Sequence, residues 1–353
     1  MTQSKTWWHE PASAIQEATI QAAQDHQNKL TKPQGSLGRL ENIAIQLCGI
    51  QNTLKPSTEK IAITIFVGDH GIVEEGVSAF PQAVTIEMQK NFIAGGAAIS
   101  VLSDSLGASL EVVNMGSLAT ESSVPGVNHQ AIAPGTANFL KQPAMTESQL
   151  DAALNAGKET IDHANNEQIE LWLGGEMGIG NTTAATAIIS ELLHIAPSQI
   201  VGPGTGLNSE GVIHKAQVIE KALAFHQGKM DSPYHVLQHV GGYEIAALAG
   251  AYIRAAQLKI ATIVDGFICG SAALAAIKMN PSIEPYLFFS HRSAEPGHQL
   301  LLDHLEVEPI VDLTLRLGEG SGAAIVTPLI QMATRLHNKM ATFDDAGVSE
   351  KID

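Results

Sequence analysis

Apolar residues along this chain follow two alternating patterns. Short, nearly continuous runs at 61–67, 108–115, 169–173, 260–264 and 286–289 predict strands. The run at 61–67 is β-branched throughout much of its length, as expected of a strand buried on both faces. Longer stretches carry apolar positions three and four apart and predict helices at 11–29, 37–50, 83–93, 97–106, 148–164 and 181–194. In the second of these, Leu37, Leu40, Ile43, Ala44, Leu47 and Ile50 share one face, with Ser36 as the expected N-cap. Further helices are expected from Asn208 or Ser209, from Gly241-Gly242 to about 258, at 269–279, ahead of a last apolar run at 309–317, and after Ser321. Asn181 or Thr182 should cap the helix at 181–194. Residues 124–144, rich in Pro, Gly and Asn, predict an irregular connection, and 342–353 a polar tail.

Strand, polar glycine loop and helix in alternation predict an α/β fold. The expected sheet is mostly parallel with helices on both faces, and ligands then bind outside the carboxyl ends of its strands. The first two helices end near Lys55-Pro56-Ser57 and form a candidate small helical unit.

Composition narrows the partners. With 44% hydrophobic and 16% charged residues among 353, a sizeable buried core is available and disorder is not expected. A net charge of -16 opposes nucleic acid and anionic membranes, so a bound phosphate should belong to a small ligand. Two cysteines make no disulfide framework, and Cys48 and Cys269 read as buried thiols. Residues 1–10 contain no hydrophobic signal core and no run reaches spanning length, so a cytoplasmic location is expected.

Candidate chemistry gathers in the loops. Glu319 lies between Gly318 and Gly320 in Leu315-Arg-Leu-Gly-Glu-Gly-Ser-Gly-Ala-Ala324, between the last apolar run and a helix. It reads either as a general base in a tight turn or as a glutamate favoured by a helix dipole. Two glycine segments, 174–183 and 202–207, could cradle a phosphate at a helix start, though neither is a Walker loop or a clean dinucleotide fingerprint. Lys215 falls on what should be a solvated helix face. Asp69-His70 closes a strand and could orient a substrate or simply close a turn. Pro296-Gly297 keeps His291, Glu295 and His298 off one helix face, and His235/His239 lack a carboxylate partner apart from Glu244, so no metal is expected. No serine-nucleophile elbow is present.

Together, Lys32-Pro-Gln-Gly-Ser-Leu-Gly-Arg-Leu-Glu41, Asp69-His-Gly71, the 174–183 segment, Asp265-Gly-Phe267, Ser290-His291 with Ser293-Ala294-Glu295, and 316–324 resemble the nicotinate-nucleotide–dimethylbenzimidazole phosphoribosyltransferase family. The likeness runs from about Lys32 to Ala324. It implies a Rossmann-like large domain (61–329), a small helical domain from both chain ends (1–60 with 330–353), and a homodimer. It implies transfer of 5-phosphoribosyl from nicotinate mononucleotide to dimethylbenzimidazole without metal or cofactor, giving α-ribazole 5′-phosphate and nicotinate. On this likeness Glu319 is the general base and Glu176 the second carboxylate. Gly175, Gly178, Gly180, Gly202, Gly204, Lys215, Ser290, His291 and Ser293 would hold nucleotide and phosphate. Phe80, Gln82, Met88, Leu317, Gly318 and Gly320 would form the aromatic-base pocket. Some members carry polar residues at the positions of Phe80 and Met88, so base choice here is expected to be permissive or shifted. Two rival readings are a non-catalytic nucleotide-binding or regulatory module, which needs neither glutamate, and a nicotinamide-dependent oxidoreductase, which lacks its fingerprint here.

Overall fold

The computed structural model describes residues 6–118, 124–204 and 206–349. The last four residues of the expected polar tail, and Thr205 of the second glycine segment, lie outside them. The chain opens with α1 (Glu17–Lys29) and α2 (Arg39–Gln51), followed by β1 (Ile61–Gly68), α3 (Ala83–Ile93), α4 (Ala98–Leu106) and β2 (Ser109–Gly116). A two-residue β3 (Asn128–His129) interrupts the otherwise irregular connection, and α5 (Glu147–Asn166), β4 (Leu171–Met177) and α6 (Asn181–Leu193) follow. Next come α7 (Pro197–Ile200), α8 (Ser209–His226), α9 (Pro233–Val240), α10 (Tyr243–Gln257) and β5 (Ala261–Val264). The chain closes with α11 (Phe267–Met279), β6 (Leu287–Phe289), α12 (Pro296–His304), α13 (Ser321–Lys339) and α14 (Phe343–Ala346).

The six strands form one sheet in the order β3-β2-β1-β4-β5-β6, and every pairing is parallel. This is the doubly wound Rossmann-like order, in which the crevice opens beyond the carboxyl ends of the strands where the order reverses. All eight positions of β1 are buried, so helices cover both of its faces. Parallel strands need crossovers, and the helices between them supply these.

Three local expectations are corrected, and the last apolar run takes a form its pattern left undefined. The strand expected at 169–173 runs on to Met177, because Gly174 and Gly175 pair with Thr64 and Ile65 of β1 instead of leaving the sheet. The run at 309–317 is not a strand: only Val311 bridges to His291, Thr314 has a positive φ of 55°, and Leu313 and Leu317 are exposed. Glu319 therefore sits between an irregular segment and a helix. Gly38 caps α2 in place of Ser36, with the Leu37 N–H donated to Glu41 Oε1 at 2.9 Å, and Gly180 caps α6 in place of Asn181 or Thr182. Asn208 does cap α8, accepting the Gly211 N–H, and both cysteines are buried.

Helix α13 begins beside the sheet and ends against the N-terminal helices. There Gln27 Nε2 donates to His337 Nδ1 at 2.8 Å, and Ala23, Ile45 and Cys48 form a separate small apolar cluster. On the other side of the molecule α5 and α10 meet with almost no space between their backbones. A Cβ at Gly157 would overlap the Ala247 carbonyl oxygen and stand 2.8 Å from Ala251 N. Alanine is favoured over glycine in a helix by about 1 kcal/mol, but backbone atoms cannot yield as side chains do. Gly157→Ala should therefore lower the free energy of unfolding by about 1–3 kcal/mol. Urea unfolding reads this directly; a variant as stable as the parent would mean the seam can widen without cost.

Candidate active site

The site is built where β4 and the 318–320 turn touch. A Cβ at Gly175 would stand 2.7 Å from the carbonyl carbon of Glu319 and from Gly320 N, so the turn lies directly on the strand backbone. Only glycine at 175 permits that approach. One residue on, Glu176 is still in the sheet, paired with Phe66, and its Oε1 lies 2.6 Å from where a Cβ of Gly318 would be. Gly318, Glu319 and Gly320 all have left-handed backbones, with φ of 85°, 62° and 74°. Glycine takes this conformation freely, whereas for Glu319 it costs about 1–3 kcal/mol.

Several bonds hold that strained turn. Ser321 N–H and Oγ–H both donate to the Gly318 carbonyl, at 3.0 and 2.7 Å. Ala323 N–H donates to Asp265 Oδ1 at 2.8 Å, so a carboxylate at the end of β5 satisfies the first turn of α13. A Cβ at Gly322 would overlap His291 Nδ1, so the imidazole packs against the same turn. The Ile99 N–H, in the first turn of α4, faces the Glu319 carboxylate and favours its charged form. Glu319 Oε2 is buried with no hydrogen-bond partner among the described residues.

Burial dominates the electrostatics. It raises the pKa of Glu319 above the ordinary carboxylate range, with Asp265 adding to the rise and Ile99 opposing it. Glu176 is raised well above that range, first by burial and then by Glu244, Asp265 and Glu319. Its Oε2 accepts a hydrogen bond from Asn181 Nδ2. Two carboxylates in one site, one more strongly raised than the other, can divide proton-accepting and proton-holding work. Behind them His70 Nε2 donates to Glu244 Oε1 at 2.6 Å in a fully buried pair.

A cavity of about 360 Å³ opens over these groups. It brings together Glu319, Glu176, Gly178, Gly204, His291, Ser293, Phe80, Met88, Leu317 and Gly318 from the sequence-derived set. Its apolar wall is Phe80, Val84, Met88 and Leu317, which suits a flat aromatic ring. Other members of that set stand behind the lining. Gly175 and Gly180 are close-approach positions, Gly180 against His70 and Val73. Gln82 Nε2 donates to the His70 carbonyl at 2.9 Å, and Ser290 Oγ–H donates to the Asp265 carbonyl at 3.2 Å. Gly320 caps α13, and Gly202 lies against Glu295 and Pro296.

Lys215 is corrected outright. Instead of a solvated face it is 1% exposed, donates to Thr182 Oγ1 at 2.6 Å, and is brought down to about 8 by burial. Asn181 and Thr182, inside the 174–183 segment, line the cavity, whereas Asp265, Glu295 and Arg316 were given no site role from the sequence and line it too. Asp265 carried a usable sign, an acid directly after an apolar strand and before a glycine. Arg316 carried none beyond its nearness to Glu319. Among the described residues no group of three or more potential metal ligands converges, and no helix is long and apolar enough to cross a membrane.

Residues 12–348 match a family model described as a phosphoribosyltransferase. A Pseudomonas putida nicotinate-nucleotide–dimethylbenzimidazole phosphoribosyltransferase is 52% identical over 351 residues, 99% of both chains. A Pseudomonas fluorescens protein of the same name is 52% identical over 348 residues, again 99% of both. The solved structure of the Thermus thermophilus protein of that name aligns with a TM-score of 0.90 at 39% identity, covering 96% of this chain and 100% of that one. With a six-stranded parallel sheet, two buried glutamates at its carboxyl edge and full-length likeness of this degree, the chain belongs to the nicotinate-nucleotide–dimethylbenzimidazole phosphoribosyltransferase family.

Proposed function

We propose that this chain transfers 5-phosphoribosyl from nicotinate mononucleotide to 5,6-dimethylbenzimidazole, releasing nicotinate and α-ribazole 5′-phosphate. The observation that carries the reading is one cavity lined by Glu319 and Glu176, with an apolar wall at Phe80 and Met88 and the Gly204 loop also lining it. The base lies against the apolar wall, its edge toward Glu319. Glu319 accepts the ring N–H proton as the other nitrogen attacks the anomeric carbon, and nicotinate leaves from the opposite face, so β-configured nucleotide gives α-configured product. The buried, unpaired Oε2 of Glu319 supports that role. Glu176, its pKa raised by burial and neighbouring carboxylates, positions the ribose. Gly204, Lys215 and Ser293 hold the 5′-phosphate, with amides and ammonium as its partners.

The reading includes a cytoplasmic homodimer. Phe80 and Leu317, exposed by 47% and 59% at the cavity wall, are surfaces a second copy would cover. It also includes a small helical domain of residues 1–60 and 330–353, supported by the packing of α1 and α2 on the end of α13.

Four outcomes are expected. Glu319→Gln should bind both substrates yet lose about 100- to 10,000-fold in kcat. In the parent, kcat/KM should fall as pH drops through a pKa above the ordinary carboxylate range, because only the ionised carboxylate accepts a proton. Nicotinate release against pH measures both; an unchanged kcat in the variant removes Glu319 from the base role. Gly175→Ala should keep its fold by circular dichroism while kcat drops at least about tenfold, since displacements of about 1 Å at a reacting group cost this much or more. Full activity there would mean the turn can shift freely. Finally, dimethylbenzimidazole, benzimidazole and adenine offered in competition should all turn over, because the wall at Phe80 and Met88 has no polar group to reject any of them. Strict preference for one base would count against this permissive wall.

A further inference from the structure

The proposed phosphate cradle already contains an anion. Glu295, the residue before α12, is only 6% exposed and makes no capping bond to its own helix. Its carboxylate turns into the Gly202–Gly204 loop: a Cβ at Gly202 would overlap Glu295 Oε2, and the Gly204 N–H faces the same carboxylate. Two cations attract it, Lys215 from α8 and Arg316 from the segment leading to the 318–320 turn. Lys215 Nζ lies 3.4 Å from where a Cβ of Gly204 would be, so it faces that loop too. On Glu295's own helix His298 is buried and neutral, its pKa held near 3 by burial and by His291, with Nδ1 accepting the Ser293 N–H. Glu295 Oε2 has no hydrogen-bond partner among the described residues. A loop amide, an ammonium and a guanidinium converging on one point are what a phosphate dianion uses. Here a side-chain carboxylate sits among them.

We infer that Glu295 is an internal counter-anion of the cradle, holding Lys215, Arg316 and the Gly202–Gly204 loop in place while the site is empty, and taking up a proton when a phosphate-like dianion enters. This rests on the proposed reading of the cradle as the 5′-phosphate subsite. A buried ammonium without a counter-charge tends to lose its proton, so the empty site needs an anion near Lys215. Two anions side by side in a dry site cannot both stay ionised at low cost, so entry of the ligand is linked to protonation. The sign follows: nucleotide binds more tightly as pH falls through the raised pKa of Glu295, and a proton leaves when product departs. Lys215, at about 8, stays mostly cationic over that range.

Calorimetric titration of the full chain with inorganic sulfate, which keeps its double charge from mildly acidic to neutral pH, tests this. Run in two buffers of different ionisation heat, the parent should take up protons with sulfate and bind it less tightly as pH rises. Glu295→Gln should bind sulfate about tenfold more tightly at neutral pH and take up none, since one like charge beside the anion is gone. Equal proton uptake in both proteins, or weaker sulfate binding by a folded Glu295→Gln, overturns the inference. Sulfate binding by the parent without proton uptake overturns it even if the variant does not fold. Lys215→Met separates the two levels. Loss of sulfate binding there supports the cradle, whereas binding that survives, or a parent that binds no sulfate, overturns the phosphate subsite and the inference with it.

Discussion

The contact of peptide on peptide between Gly175 in β4 and Glu319–Gly320 is the constraint on which the site depends. A parallel sheet presents only its strand ends to a ligand, so a carboxylate carried by another segment must be brought against that edge. Here the 318–320 turn is pressed onto the strand backbone at Gly175, beside the Ile65 side chain. Everything else about the turn follows from that position. Its left-handed backbone, the Asp265 carboxylate on the first turn of α13 and the His291 ring at Gly322 all serve to keep it there. The strain at Glu319 is tolerated because these neighbours over-determine it.

Gathering acids at that edge sets a second condition. Glu176, Asp265, Glu319 and Glu244 influence one another in a protein whose net charge is already -16. Full ionisation of all four would be opposed by desolvation and by mutual repulsion together. The surroundings resolve this unevenly. Asp265 is relieved by backbone N–H groups of Gly266, Gly322 and Ala323 and by His291, and Glu319 by one amide. Glu176, despite its bond from Asn181, is pushed well above the ordinary carboxylate range by burial and three neighbouring carboxylates. Difference in environment, with side chains of the same kind, assigns the different states.

The layout of the sheet was legible in the sequence because buried parallel strands leave continuous apolar runs, and Ile61–Gly68 is such a run. Glu319 and Glu176 stood out in the sequence as acids beside glycines in long ordered motifs, and both line the cavity. What failed, failed for definite reasons. The β4 boundary was misjudged because glycine reads as a loop, yet Gly174 and Gly175 remain in the ladder to admit another backbone. Residues 309–317 are apolar enough for a strand, but their few backbone hydrogen bonds to 289–294 make a single β-bridge, and Leu313 and Leu317 are exposed. Burial of Lys215 left no trace in its own helix, since the residues that enclose it, Thr182 and Gly204, come from elsewhere in the chain. Long-range enclosure of this kind has no local periodicity to read.

Helix α13 links the two ends of this arrangement as one rod, from Ser321 beside the reacting groups to His337 against Gln27 and Cys48. A helix advances about 100° of rotation with each residue. Inserting or deleting one residue within it would therefore turn one end away from its partners whichever end stayed docked. The irregular stretch just upstream, partly exposed and tied to residues 289–294 by a few backbone hydrogen bonds, can absorb a length change that the rod cannot. Length variation among relatives should thus concentrate before the turn and be nearly absent after it, a boundary set by rotation and not by distance from the chemistry.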